Sequence, residues 1–180
     1  MSKRVLTAVL AFVAVAVGVV TVVLARDTEP AVTREELLLY QAEIYPPLAN
    51  GGRTVEQGMK PAVPDIRTGK VAASEAEGWV MSLRAVREEV LLVDVPPGLR
   101  DAAGLFATAL DKYVEAAETF QQAAGAGAAE RDTLVDAAVA LAEEADRAYD
   151  DASRVIQQWR RRLGLGPSAQ FPDPTAPSRP

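Results

Sequence analysis

From residue 74 onward, apolar side chains recur in alternating steps of three and four. Ala76, Trp79, Leu83, Val86, Val90 and Val93 form one such series. Leu99, Ala103, Phe106, Leu110, Tyr113, Ala117, Phe120 and Ala124 form a second. Leu134, Ala138, Leu141, Ala145, Ala148, Ala152, Val155 and Trp159 form a third. Such spacing places every member of a series on one stripe of an α-helix, the a/d seam of packed helices. Strands, with a period of two, cannot use it. Ala102, Ala107, Ala109, Val114 and Ala116 widen the second stripe, and Val135, Ala137, Val139, Ala140 and Ala142 widen the third. A broad apolar face touches two neighbours, which favours a bundle over a two-stranded rod.

The punctuation sets the expected boundaries. Ser74 and Glu77 form a capping box for one helix, and Val95-Pro96-Pro97-Gly98 stops it. The next helix runs from about Leu99 to Ala124, where Gly125-Ala126-Gly127 turns the chain. The last runs from about Ala129 to Leu163, with Gly164 and Gly166 as its stop. These connections are short, so consecutive helices are antiparallel. Upstream, Thr33 and Glu36 cap a helix over Glu35 to Leu48, with Leu37, Tyr40, Ile44 and Leu48 as its stripe. Pro46 and Pro47 should end or kink it, and Asn50-Gly51-Gly52 should break it. Residues 50–73, with Pro61, Pro64, Gly58 and Gly69, read as an irregular connection, with a short helical turn near Val55 to Met59. Residues 167–180 read as a disordered, proline-rich tail.

Ahead of all this lies Val5 to Ala25, 21 residues without a charge. At roughly 1.5 Å per residue these span about 30 Å, the thickness of a bilayer core. The expectation is a signal anchor crossing the membrane once, with residues 1–4 in the cytoplasm, 26–32 as a linker and 33–166 as a bundle outside it. Val23 and Ala25 also fit the −3 and −1 positions of a signal-peptide cut, which would release the chain after Ala25. Length favours the retained anchor, since cleaved segments have apolar centres of about 7–15 residues. The expected fold is therefore all-α: an N-terminal transmembrane helix, an up-and-down three- to four-helix bundle, and the tail.

Composition narrows function by exclusion. The 155 residues after Ala25 carry 17 basic and 25 acidic side chains, a net charge of −8. Such a surface repels phosphate backbones, so no nucleic acid is expected as partner. The chain has no Cys and no His. That removes disulfides, the commonest metal ligand and the His-dependent nucleophile arrangements. The carboxylate pairs Glu35-Glu36, Glu88-Glu89, Glu143-Glu144 and Asp150-Asp151 point about 100° apart on a helix and read as solvated faces. Ser74, Ser82, Ser153 and Ser168 sit beside no Lys in a recognisable pattern, so a hydrolase is the weakest reading. No catalytic residue, cofactor site or metal site is expected.

Three features remain as candidates. Arg160, Arg161 and Arg162 suit a helix C-terminus, and could also contact lipid headgroups or an acidic partner. Trp79 and Trp159 sit on seams and read as core, with Trp159 also suited to a membrane interface. Tyr40, Tyr113 and Tyr149 need partners for their hydroxyls if buried, and a pocket lined by them is conceivable. The Ala-, Val- and Arg-rich make-up, the N-terminal span and the Pro96-Pro97-Gly98 lead into an Ala-rich hairpin resemble proteins that high-GC bacteria export. The resemblance implies a bacterial cell-envelope setting and no activity. The leading expectation is a non-enzymatic, membrane-anchored interaction module. It would act through a protein partner or self-association, by way of the Ala-faced helix 99–124. The alternative is a bundle holding a small apolar ligand near Tyr113 and Phe120.

Overall fold

The structure, a computed structural model, describes residues 31–172. The expected anchor at 5–25 and residues 173–180 of the tail lie outside these. The described chain is all-α: α1 (Arg34–Arg53), a π-helical segment (Thr54–Met59), α2 (Lys60–Arg67), α3 (Ala73–Leu91), α4 (Arg100–Gly125) and α5 (Ala128–Arg162). The first three run end to end as one arm, so the bundle has four arms. Among the described residues no helix is long and apolar enough to cross a membrane.

The first arm departs most from expectation. Residues 50–73 are helical as far as Arg67, and the helix passes through Pro46, Pro47, Gly51 and Gly52. Each proline removes one donor, leaving the carbonyls of Ala42 and Glu43 without a helical bond. Both of those residues lie on the exposed side of the helix, where an unpaired carbonyl costs least. Meanwhile Leu37, Tyr40, Ile44, Pro47, Leu48 and Gly51 bury one continuous face. Tertiary burial outweighs local propensity here. Strain of register appears one turn later. The Lys60 amide donates to the Val55 carbonyl, five residues back, and closes a π-turn just before Pro61.

Thr33 and Glu36 form the expected capping box, with Thr33 N donating to Glu36 Oε2 at 2.8 Å and Glu36 N to Thr33 Oγ1 at 3.2 Å. These bonds hold the Glu36 carboxyl below its usual pKa. The box at Ser74 is not formed. Helix α3 starts at Ala73 with Ala72 as its cap, which places Ser74 inside the first turn. Helix α5 ends in a Schellman turn: Gly164, at φ +66°, and Leu165 donate back to the Arg161 and Arg160 carbonyls.

Ion pairs fix the arms as antiparallel. Arg84 meets Glu118 at 2.6 Å and Arg87 meets Asp111 across α3 and α4. Lys112 meets Glu144 at 3.6 Å across α4 and α5. Lys60 reaches Asp146 at 3.0 Å, while Arg67 reaches Asp132 and Asp136, pairing α2 with α5. The most extensive pairing is α4 with α5. Its buried centre is alanine. Ala102, Ala109, Ala116 and Ala123 on α4, and Ala138, Ala145 and Ala152 on α5, recur every seven residues and are almost fully buried. The expected seam members Ala103, Tyr113, Ala124, Leu134, Leu141, Ala148, Val155 and Trp159 are only half-buried. Small side chains occupy the line of closest approach, and larger ones flank it. The alanine face of α4 is thus consumed inside the bundle and is not a docking strip.

The core divides into two clusters. One joins Val55, Met59, Ile66, Trp79, Phe120 and Val135 with their neighbours, all between residues 55 and 142. The other joins Val32, Leu37, Tyr40, Val90, Leu99, Phe106, Ile156 and Phe171. Within the described part of the expected tail, Phe171 is packed into the core. Its ring is fully buried, 5.7 Å from Phe106 and 6.0 Å edge-on from Tyr45. Gln157 Nε2 donates to the Phe171 carbonyl and, at 3.4 Å, to that of Ser168. One aromatic ring burying this much surface orders the segment that carries it.

Candidate functional site

The three arginines at the end of α5 are engaged differently. Arg160 is a structural tie. Its Nε donates to the Gly166 carbonyl at 2.7 Å and its Nη1 to Gln41 Oε1 at 2.8 Å, joining α5 to α1. Arg162 lies over the Trp159 ring at 4.9 Å, a cation–π contact. Arg161 is exposed on the same turn. Among the described residues no three acidic side chains converge as metal ligands.

A different place gathers functional groups. Helix α1 packs on α3, while α4 packs on α5, and a cleft of about 860 Å³ opens between α1 and α5. Leu48, Ala49, Gly52 and Val55 line one wall, and Asp146, Tyr149 and Asp150 the other. Ala109, Leu110 and Tyr113 of α4 form the floor. Tyr45 and Gln170 close one end, where Phe171 wedges against Tyr45. Glu56 and Asp146 stand at the other, beside the π-helical segment. Π-turns inside α-helices occur frequently at functional sites.

That far end is a hydrogen-bonded network. Lys60 Nζ donates to Glu56 Oε1 at 2.6 Å and to Asp146 Oδ2 at 3.0 Å. The Tyr113 hydroxyl donates to Asp146 Oδ1. Partial burial works against the Lys60 ammonium, but the bonds to Glu56 and Asp146 outweigh it and hold its pKa above the usual value. Burial, aided by the bond to Asp146, pushes the Tyr113 phenol well up, and burial raises Tyr149 as well. Both rings therefore stay neutral at ordinary pH.

Of the expected pocket residues, the structure brings Tyr113 and Tyr149 to the cleft and leaves Tyr40 out. The Tyr40 hydroxyl is buried without a hydrogen-bond partner among the described residues. Phe120 lines a second, smaller cleft of about 390 Å³ with Met59, Val63 and Val139. Val55 and Asp146 line both clefts. Sequence reasoning missed Tyr45, Arg53, Glu56, Lys60, Asp146 and Asp150.

Comparison of the chain with protein-family models, with curated proteins and with solved structures returns no match.

Proposed function

We propose that this chain is a cell-envelope protein, held in the membrane by residues 5–25, whose bundle outside the cytoplasm binds a small molecule in the α1–α5 cleft. The carrying observation is the cleft itself: bordered at one end by Tyr45 and Gln170 and at the other by Glu56 and Asp146, and lined by three tyrosines and a π-turn. Its volume lies in the range of small-molecule sites, about 300–1,000 Å³, and its mix of apolar lining with a few polar groups is typical of them. Binding, not turnover, is the proposed role. The cleft is lined by tyrosines, carboxylates and amides, with no His or Cys in the chain to serve as base or nucleophile.

The test is a thermal-shift screen of the full chain in lipid nanodiscs against a soluble fragment library. The expected result is a set of fragments that raise the melting temperature, an effect lost in Tyr149→Ala and in Ala49→Leu, which fills the cleft. A screen without any such fragment overturns the reading.

A second reading, a protein-interaction module, is favoured by one observation. Leu38 and Leu39 of α1, Met81 and Leu91 of α3, and Leu92 are exposed, Leu92 at 85%. In-cell crosslinking of the full chain, followed by mass spectrometry, tests it. Discrete adducts lost in Leu91→Glu/Leu92→Glu support it, and a monomer alone rejects it.

A further inference from the structure

Resting on the binding reading of the cleft, we propose that the ligand is an organic cation: an amine or quaternary ammonium carried on an apolar body. The charges lining the cleft are unequal. Glu56, Asp146 and Asp150 oppose a single cation, Arg53. Arg53 is already engaged, donating through Nη2 to Asn50 Oδ1. Lys60, the nearest other cation, is shared between Glu56 and Asp146. An anionic ligand would meet three carboxylates against the one guanidinium of Arg53, which keeps its charge beside the neutral Asn50 amide.

The rings act in the same direction. Tyr45, Tyr113 and Tyr149 all border the cleft, and the face of an aromatic ring is its negative pole. A cation held against tyrosine faces is attracted electrostatically, most strongly where water is excluded. Tyr113 donates its hydroxyl proton toward Asp146, which adds electron density to its ring. Asp150, next to Tyr149 at the exposed lip, supplies the formal counter-charge. The apolar lining of Leu48, Val55 and Leu110 then takes the apolar body. The roles separate along the cleft: Glu56 and Asp146 share Lys60, and Asp150 is left for the ligand.

The experiment uses the full chain in uncharged dodecyl maltoside micelles, which carry no ammonium group, and three matched probes: benzyltrimethylammonium, its neutral isostere neopentylbenzene, and benzylphosphonate. Affinities come from ligand-observed NMR, and location from chemical-shift changes of labelled tyrosines. The expected result is that the cation binds about tenfold or more tightly than the other two, with shifts at Tyr113 and Tyr149. Asp150→Asn should weaken the cation by about tenfold and leave the neutral probe unchanged. If the neutral probe or the phosphonate binds as tightly as the cation, with the same tyrosine shifts, charge selection is overturned and the cleft reading stands. If no probe moves a cleft tyrosine, and the fragment screen is also empty, both readings fail together.

Discussion

Two helix pairs in this protein use small residues, and only one of them closes. Across α4 and α5, the most extensive helix pairing, alanines recur every seven residues on both partners and are almost fully buried. Across α1 and α5, Ala49 and Gly52 are just as small, yet a cleft remains. The difference lies in what stands opposite. Facing α1 are Asp146, Tyr149 and Asp150, which are large or charged and cannot mesh with an alanine ladder. The gap is also propped at both ends, by Phe171 against Tyr45 and by the Lys60–Asp146 pair. Small residues permit close approach, and matched partners are needed to make it happen.

The same substitution placed in both pairs gives the sharpest contrast. Ala116→Leu forces three extra heavy atoms into the closed seam and should destabilise the protein by about 3 kcal/mol. Ala49→Leu enters open space and should change stability by less than about 0.5 kcal/mol while abolishing fragment binding. Urea unfolding of both variants checks the pair, and equal losses would show that the seam is not the tighter interface.

Removing the prop comes next. Phe171→Ala should cost about 2 kcal/mol, the transfer free energy of one buried ring, and leave the α4–α5 seam intact. Amide exchange should then rise around Gln157 and Tyr45 and not at Ala116. An alkaline shift should cause a loss of similar order. Burial holds Tyr40, Tyr113 and Tyr149 above the pKa of an unfolded tyrosine, about 10. The folded state keeps protons that the unfolded state releases, so this contribution is full below about pH 10 and is lost as pH rises further. Urea midpoints compared at about pH 9 and about pH 11 should fall, and Tyr113→Phe/Tyr149→Phe should flatten that fall.

Smaller effects sharpen the picture of the first arm. A Cβ at Gly58 would lie 3.0 Å from Trp79 Nε1, whereas one at Gly52 would meet nothing within 4 Å. Gly58→Ala should therefore destabilise, while Gly52→Ala should stabilise by about 0.5–1 kcal/mol through helix propensity. The smallest effect is at Tyr40. Its hydroxyl is buried without a partner among the described residues, so Tyr40→Phe should be neutral or stabilising by up to about 1 kcal/mol. A clear loss of melting temperature would point to a partner for that hydroxyl.

The pattern of apolar spacing in the sequence carried the helices from α3 onward to within a residue or two, because long amphipathic helices reveal themselves by period. It failed where burial overrules local chemistry. Pro46, Pro47, Gly51 and Gly52 are strong breakers read alone, and only the face running from Leu37 to Gly51 shows why the helix survives them. On α5 it placed Ala138, Ala145 and Ala152 in the core as found, and missed by one position at the alternate members, where Val135 and Ala142 are buried instead of Leu134 and Leu141. The cleft was visible only in part. Tyr113 and Tyr149 stood out as rings, but Glu56 and Lys60 lay in a segment read as irregular, and Asp146 resembled any other solvated acid.

The division of the core into two clusters has a kinetic meaning. One cluster draws its members from residues 55 to 142, and the other must bring Val32 together with Phe171. Closing that longer loop costs more chain entropy before any contact rewards it. The half that holds Tyr45 and Tyr149 should therefore assemble later and open sooner, which amide exchange at Tyr45 against Ala116 checks. A ligand bound between them would clasp the two ends of the folding unit, and its arrival would register as slower unfolding.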